Sequence, residues 1–291
     1  MTKTLLVFWD DGHGIETPGK RTPYISEIGR AIKENEFNSA VVKQAAHLTT
    51  KLSTKVISIL VAPTDSDTPL ITRTNTANRI YKEYVSKYGQ GNVNAIYVSV
   101  HYDAFDSAFN GYDPEGLTVF VQKGFSKGES GRLARSINKY LAQGTPQQNR
   151  GVKEGNYHVL RETSMPAVLT ENGFMDNKRE ALLMIDKNFQ QEVAEEHVKG
   201  ICEYFGIPYD VQKEPVKVEE VKEEEEDVKF TSPTLKEKFE SRTRSKATSK
   251  TIDDAAVKIL GYQSKLDKDG RLSDGDLAAL STELAVKLLK K

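Results

Sequence analysis

Short apolar runs alternate with longer amphipathic stretches between Leu5 and about Gly206. Apolar runs of roughly four to eight residues are typical of strands that are buried on both faces of a mainly parallel sheet. Six segments have this character, and we predict that each of them forms a strand: LLVFW, VISILV, IYVSV, LTVFV, YHVL and AVLT.

Between these runs, apolar residues recur every three or four positions, as on the buried face of an amphipathic helix. We predict four such helices, through Phe37 to Leu52, Arg73 to Tyr88, Leu133 to Leu141, and Val193 to Phe205. Strands that alternate with helices favour an α/β fold. We therefore expect residues 1–209 to form one domain, in which a single mostly parallel sheet is flanked by helices.

The composition changes after residue 209. Residues 210–229 are nearly all Glu, Lys and Val, and we interpret them as an acidic charged linker that buries too little apolar surface to fold by itself. Residues 230–291 contain two stretches with helical spacing, Asp253 to Gln263 and Ser273 to Leu289. We therefore predict a small helical C-terminal domain, whose length allows only a marginal core.

The overall composition is that of an ordinary globular protein. Of the 291 residues, 37% are hydrophobic and 29% are charged, and the formal net charge is -1, so no basic excess indicates a nucleic-acid partner. No apolar run reaches the roughly 18 residues of a membrane span. The first apolar run is also too short for a signal peptide, and we expect synthesis in the cytoplasm. Cys202 is the single cysteine, which excludes an intrachain disulfide and indicates a buried thiol.

Three chemically competent side chains follow predicted strands. His13 comes just after LLVFW, His101 directly after IYVSV, and Glu171 directly after AVLT. The carboxyl ends of parallel strands meet at one edge of an α/β sheet, where ligands bind. Glu34 begins the helix that follows the first strand, and the start of that helix faces the same edge. We therefore expect these four side chains to converge.

Two histidines and one carboxylate are a common ligand set of catalytic zinc, which keeps a further position open for water. His13, Glu34 and His101 would supply this set. Glu171 would then remain unliganded, able to take a proton from water and to return it to a leaving amine. The sequence therefore indicates an amide hydrolase whose cofactor is Zn2+.

Alternatives remain open for the proposed ligands. Each of His13 and His101 could equally be a structural histidine at the end of a strand. Glu36 competes with Glu34 as the acidic ligand, because acidic residues are favoured in the first turn of any helix. The glycines on both sides of His13 fit a tight turn that would let its ring reach a metal ion.

Other polar residues near these segments have weaker claims. Asp11 and Asp103 are candidates for accepting a hydrogen bond from a ligand histidine. His47 and His197 lie in helical stretches that are rich in charge, and we expect both to face solvent. His158 precedes an apolar segment, and a position in the cleft is the less favoured interpretation of it.

The segments around the four candidate residues, in this order, resemble the zinc-dependent N-acetylmuramoyl-L-alanine amidases of the amidase type 3 family. GHG at residues 12–14 is similar to the first ligand motif of that family, and ENEFN at residues 34–38 is similar to its Glu-x-x-x-Asn helix start. SVHYDA at residues 99–104 resembles the second histidine motif, and VLRETSMPAVLTENGFMDN at residues 159–177 resembles the segment with the catalytic glutamate. The resemblance covers about residues 4–206.

The resemblance implies the same fold, the same metal and the same ligand set, and it assigns the acidic ligand to Glu34 rather than to Glu36. It also implies that Arg161 and Asn172 are candidate substrate-binding residues. The sequence departs from the family at two places. Asp10-Asp11 stands where the family has Asp-Pro, and His101-Tyr102-Asp103 stands where it has His-x-Asn. Neither departure removes a ligand.

Members of this family cut the amide bond between N-acetylmuramic acid and L-alanine, so the expected partner is the peptidoglycan of a Gram-positive cell wall. The loop TPGKRTP at residues 17–23 and the missing signal peptide resemble phage lysins, which suggests an endolysin that acts at the cell wall after its release. A host autolysin or sporulation amidase, or an inactive cell-wall-binding protein, is the alternative. By analogy of architecture, residues 230–291 would bind the cell wall or form a homo-oligomer.

Overall fold

The computed structural model describes residues 3–111 and 114–211. Within these ranges the strands are β1 (Thr4–Asp11), β2 (Val56–Leu60), β3 (Val93–Asp103), β4 (Leu117–Gln122), β5 (Asn149–Gly155) and β6 (Ala167–Phe174). The helices are α1 (Glu34–Thr50), α2 (Leu70–Tyr88), α3 (Glu129–Gly144), α4 (His158–Arg161), α5 (Lys178–Leu183) and α6 (Lys187–Phe205), with a short 3-10 turn at Gln90–Asn92. The predicted linker from residue 212 onward and the predicted C-terminal domain lie outside the described residues.

The six strands form one sheet in the order β2-β1-β3-β6-β4-β5. From β2 to β6 the neighbours are parallel, whereas β4 runs antiparallel to β6 and parallel to β5. The prediction of an α/β fold with a mostly parallel sheet is therefore confirmed, with a mixed edge. The carboxyl ends of β1, β3 and β6 lie side by side, because Asp11 pairs with Val100 and His101 pairs with Glu171.

Both faces of the sheet are covered, and β1 shows this most clearly. Successive residues of a strand point to opposite faces. Val7 and Trp9 pack in the core under α1, α3 and α6, whereas Leu6 and Phe8 pack in the core under α2 and α4. Burial on both faces explains why β1 is a continuous apolar run rather than an alternating one. Among the described residues, none of the helices combines the length and the apolar character needed to cross a membrane.

The structure differs from the prediction at the segment YHVL. This segment lies in and just before the short helix α4, and the strand in this part of the chain is β5. β5 is an edge strand that is exposed or half-buried throughout its sequence NRGVKEG. An edge strand with little burial has no apolar pattern to reveal it, and its two glycines argue against a strand.

The prediction for His197 is wrong, because its side chain is fully buried within α6. This helix begins at Asp186, whose carboxylate accepts hydrogen bonds from two backbone N–H groups of the first turn, and it ends at Gly206 in the left-handed conformation. The His197 ring contacts Thr170 Oγ1 at 3.0 Å and Val193 O at 2.7 Å. Burial lowers the pKa of His197 to about 4, so the ring is neutral near pH 7. His47 is exposed, as predicted.

Candidate active site

Three of the predicted side chains meet beyond the carboxyl ends of β1 and β3. His13 Nε2 lies 3.4 Å from Glu34 Oε2, and His101 Nδ1 lies 2.9 Å from Glu34 Oε1. The two imidazole rings meet edge to face, with centroids 5.0 Å apart. One ligand atom from each of the three residues lies within 4.8 Å of the others. Within the described residues, these three side chains form the one group of His, Cys, Asp or Glu with the spacing of a metal site.

The sequence GHG permits this approach because both of its glycines lie against other parts of the site. A Cβ atom at Gly12 would lie 2.0 Å from Cε1 of the His101 ring, and a Cβ atom at Gly14 would lie 2.1 Å from the backbone nitrogen of Asp67. His13 itself has a φ of 65°, in the left-handed region that few residues adopt. The glycines therefore provide close packing as well as a turn.

The structure separates the two glutamates at the start of α1. Glu34 is 1% exposed and faces the histidines. Glu36 lies roughly 200° further round the helix, where it binds Arg30 through two hydrogen bonds of 2.7 and 2.8 Å. Its carboxylate also accepts the backbone N–H of Lys33 at 2.9 Å. Glu36 therefore stabilises the start of α1, and Glu34 supplies the carboxylate of the site.

The charges around Glu34 favour its ionised form. Burial alone would raise its pKa, but the surrounding His101, His13 and Lys20 keep that pKa below its ordinary value. Burial lowers the pKa of His13 to about 4, so this ring is neutral near pH 7. A carboxylate and a neutral imidazole are the protonation states that bind a metal.

Lys20 is a neighbour of this site that we did not predict. Its ammonium group is half-exposed and lies 3.7 Å from Glu34 Oε2. The backbone carbonyl of Lys20 accepts the N–H of Glu34 at 3.0 Å, so the loop and the start of α1 are held together. The loop TPGKRTP therefore brings a positive charge to the edge of the site, and its sequence alone does not indicate which of its two cations does so.

The three residues fit a zinc ion on two grounds. Glu34 Oε2 is buried and accepts no hydrogen bond within the described part of the chain. Such an oxygen costs free energy unless it accepts a hydrogen bond or binds a cation directly, and the two groups beside it, His13 Nε2 at 3.4 Å and Lys20 Nζ at 3.7 Å, do neither. Two imidazole nitrogens and one carboxylate oxygen are also the donor set that zinc uses in hydrolases.

Glu171 lies on β6 directly opposite His101 of β3. Residues paired in this way on neighbouring strands project from the same face, so the carboxyl group of Glu171 lies on the face of the sheet that carries His101. Its Oε2 atom is buried and accepts no hydrogen bond from the described residues. Burial, together with the charges of Glu34 and Asp103, raises the pKa of Glu171 well above its ordinary value. A carboxyl group with a buried oxygen and a raised pKa, on the residue paired with His101, is suited to proton transfer.

The structure places Asn172 away from this group. It follows Glu171 on β6 and therefore points to the opposite face of the sheet. Its side chain is 2% exposed and donates a hydrogen bond to the backbone carbonyl of His101 at 3.0 Å. Buried in this way, Asn172 offers little surface in this structure, and its role in substrate binding stays a prediction. Its contact joins β6 to β3 behind the site.

Two further predicted residues lie on α4. Arg161 is exposed, pairs with Glu162 at 2.8 Å and donates to Asn156 Oδ1 at 2.7 Å. Its role in substrate binding stays a prediction. His158 is half-buried, and its Nε2 atom lies 3.4 Å from Thr74 Oγ1 of α2. It therefore lies in the contact between two helices.

The second ring nitrogen of His101 contacts Ser99, which we did not predict. His101 Nε2 lies 3.1 Å from Ser99 Oγ, and Ser99 Oγ donates to Asp10 Oδ2 at 2.6 Å. Asp103 instead accepts the backbone N–H of Ala104. Two residues of a strand that are two positions apart share one face, so the spacing of Ser99 and His101 is a signal that could have revealed this contact.

A cavity of about 360 Å³ opens beside the two histidines. The chain at residues 67–70, which leads into α2, and Arg73 also line this cavity. A larger cavity of about 780 Å³ runs along α2 and is lined by none of the four site residues. We therefore associate the smaller cavity with the chemistry of the site.

Comparison with known proteins agrees with this geometry. Residues 7–203 match the family described as N-acetylmuramoyl-L-alanine amidase, Amidase_3. The chain belongs to this family. This amidase is 30% identical over 207 residues to the endolysin of Bacillus phage SPP1. The match covers 69% of this chain and 66% of that protein. It is 28% identical over 203 residues to the N-acetylmuramoyl-L-alanine amidase CwlM of Bacillus licheniformis, covering 69% of each.

The fold of this amidase is also found in a solved structure. The catalytic domain of CwlV, an N-acetylmuramoyl-L-alanine amidase from Bacillus (Paenibacillus) polymyxa var. colistinus, superimposes with a TM-score of 0.57 at 28% identity. The match covers 70% of this chain and 100% of that domain. The predictions of the family and of an amidase that acts on peptidoglycan are therefore confirmed. All four site residues lie inside the matched residues 7–203.

Proposed function

We propose that this amidase is a zinc enzyme, in which His13, Glu34 and His101 hold the ion and Glu171 transfers protons. The observation that carries the proposal is the grouping of one ligand atom from each of the three residues within 4.8 Å. Glu171 supports it, because it lies opposite His101 and has a buried oxygen that accepts no hydrogen bond from the described residues. The substrate is the amide bond between N-acetylmuramic acid and L-alanine.

When bound, zinc supplies a positive charge that polarises the amide carbonyl and makes water more acidic. The residues of the chain perform the remaining steps. Glu171 takes a proton from the attacking water as the new C–O bond forms, and it delivers a proton to the nitrogen as the C–N bond breaks. The products are the carboxyl group of the muramic acid and the free amine of the peptide. The raised pKa of Glu171 favours the protonated form that the second transfer needs.

Digestion of purified cell walls by the full chain tests this reaction. We expect new free amino groups and no new reducing ends, because only the amide bond is cut. A metal chelator should stop the reaction, and added zinc should restore it. New reducing ends would indicate cleavage between sugars instead, and activity that persists after complete removal of metal would contradict the zinc proposal.

We infer that the biological role is that of an endolysin, which acts on the wall of a Gram-positive host after its release from the cytoplasm. Similarity to the SPP1 endolysin supports this role. The test is expression inside a Gram-positive host, with and without a separate protein that opens the cell membrane. Lysis only when the membrane is opened is the expected result. Lysis by the chain alone would instead favour a host autolysin with its own route to the wall.

A further inference from the structure

One buried arginine binds the backbone of the first proposed histidine ligand and of a residue just before it. Arg73 of α2 is 1% exposed. Its Nη2 atom donates to the backbone carbonyl of His13 at 3.0 Å, and its Nη1 atom donates to the backbone carbonyl of Asp11 at 3.2 Å. Its Nε atom donates to the backbone carbonyl of Thr68 at 2.7 Å. The guanidinium group therefore fixes the turn that carries His13.

The same guanidinium group reaches the second histidine through two side chains. Arg73 Nη1 donates to Asp10 Oδ1 at 2.5 Å, and the other oxygen of Asp10 accepts the hydroxyl proton of Ser99 at 2.6 Å. Ser99 Oγ in turn lies 3.1 Å from His101 Nε2. An uninterrupted series of hydrogen bonds therefore joins Arg73 to the ring of His101, and each of these side chains except His101 is at most 1% exposed.

The direction of these hydrogen bonds determines which nitrogen of His101 carries the proton. A carboxylate paired with arginine only accepts hydrogen bonds, so Ser99 gives its single proton to Asp10. Ser99 can then only accept from His101, and Nε2 must carry the proton. Nδ1, which lies 2.9 Å from Glu34 Oε1, would then be the nitrogen that offers its lone pair to a metal ion at this site.

We propose that Arg73, Asp10 and Ser99 are positioning residues that hold both histidines for the metal and select the form of His101 whose Nδ1 binds it. The inference rests on the proposed zinc site. It adds that the ligand geometry is maintained from β1, α2 and β3 together, by residues that touch neither metal nor substrate.

Zinc affinity of the full chain, measured by competition with a chelating dye, tests the inference. Ser99→Ala removes the acceptor for His101, and we expect its zinc affinity to fall by about 10- to 100-fold. The visible absorption bands of the protein loaded with cobalt in place of zinc should also change, because the geometry of the ligands changes. Ser99→Thr keeps the hydroxyl group, and it should restore both the affinity and the spectrum.

Ser58→Ala is a matched control. Ser58 of β2 also makes two side-chain contacts, with Trp9 Nε1 at 3.1 Å and Thr49 Oγ1 at 2.5 Å, but neither involves a histidine. This variant should lose stability and keep the zinc affinity and cobalt spectrum of the wild type. If Ser99→Ala does not fold, Asp10→Asn interrupts the same series one residue earlier and should shift both readouts in the same direction.

The outcomes separate this inference from the proposed function. A wild-type protein that binds zinc, together with a folded Ser99→Ala variant of unchanged affinity and spectrum, would overturn the inference alone. A wild-type protein that binds no zinc would overturn the zinc site and the inference with it. Equal losses of affinity in Ser99→Ala and Ser58→Ala would reduce the role of Ser99 to general stability and would also overturn the inference.

Discussion

The two glutamates of the site belong to regions that are built differently. On the metal-binding side, Glu34 Oε1 contacts His101 Nδ1, the backbone N–H of Tyr102 at 3.2 Å and the side-chain amide of Asn38 at 3.3 Å. On the proton-transfer side, Glu171 Oε2 is buried and accepts no hydrogen bond from the described residues. Positive groups and donors lower the pKa of the first carboxyl group, whereas burial raises that of the second. The two surroundings therefore suit these identical side chains to the different roles that we propose, ligand for Glu34 and base for Glu171.

Glu34→Gln should have the largest effect, because it removes the only charge that the three ligands supply. We expect the variant to lose zinc on dialysis and to release no detectable amino groups from cell walls. Glu36→Gln is the matched control, since it changes the same helix turn without touching the histidines. It should keep its zinc and lose about 1 kcal/mol of stability. Stoichiometric zinc in Glu34→Gln would reverse the assignment of the two glutamates.

Glu171→Gln should leave the metal-binding side intact and remove proton transfer. A general acid or base typically contributes about 10²- to 10⁴-fold to the rate, and we expect kcat to fall within that range. Zinc content should stay at the wild-type value, which distinguishes this variant from Glu34→Gln. Wild-type turnover by Glu171→Gln, measured as amino groups released, would exclude Glu171 from the chemistry.

His197 links the pH dependence of stability to the proton-transfer side, because it contacts Thr170, the residue before Glu171 on β6. Its pKa is about 4 in the native protein and about 6.5 in an unfolded chain, so the unfolded chain binds more protons between these values. The contribution of His197 to the free energy of unfolding is therefore complete above pH 6.5. As the pH falls to 4, this contribution is lost, by up to about 3 kcal/mol.

Urea unfolding at pH 7 and at pH 4.5 measures this loss. His197→Gln cannot titrate at this position, so the stability of this variant should depend less steeply on pH than that of the wild type. The remaining slope comes from other groups, such as His13, which are unchanged by the substitution. Equal slopes in the two proteins would show that His197 does not contribute.

Lys20 should have the smallest effect, because its ammonium group is half-exposed. Lys20→Met removes a positive charge beside Glu34, and zinc should bind about two- to fivefold more tightly, since such charge pairs contribute at most about 1 kcal/mol. Lys43→Met removes an exposed lysine that pairs with Asp65 instead of with one of the four site residues, and it serves as the control. Weaker zinc binding by Lys20→Met would mean that Lys20 supports the ligands instead of opposing the ion.

The parts of the molecule that were predicted from the sequence are those with local signals. Continuous apolar runs identified β1, β3 and β6, and these strands carry or precede His13, His101 and Glu171. The parts that were missed depend on contacts between distant segments. Arg73 and Asp10 are 63 residues apart along the chain, and the edge strand β5 has no buried face to give it a pattern.

Asn172 shows the limit of a motif. It lies next to Glu171 in a segment that resembles the family, and that resemblance implied a role in substrate binding. In a strand, however, neighbouring residues point to opposite faces, so adjacency along the chain separated the two side chains. Side-chain orientation also separates Glu34 from Glu36, because only the residue on the face of α1 that is turned towards the histidines can contact them.

The packing of Gly12 against the ring of His101 has a consequence for mutational screens of this enzyme. Every substitution at Gly12 adds a carbon atom within 2.0 Å of Cε1 of that ring, and it would displace the second histidine. Random mutagenesis would therefore return Gly12 among the inactive alleles, together with the proposed ligands, although Gly12 has no side chain to react. Loss of activity in a Gly12 variant would therefore report a steric clash with the imidazole ring of His101, and not a chemical role of Gly12 itself.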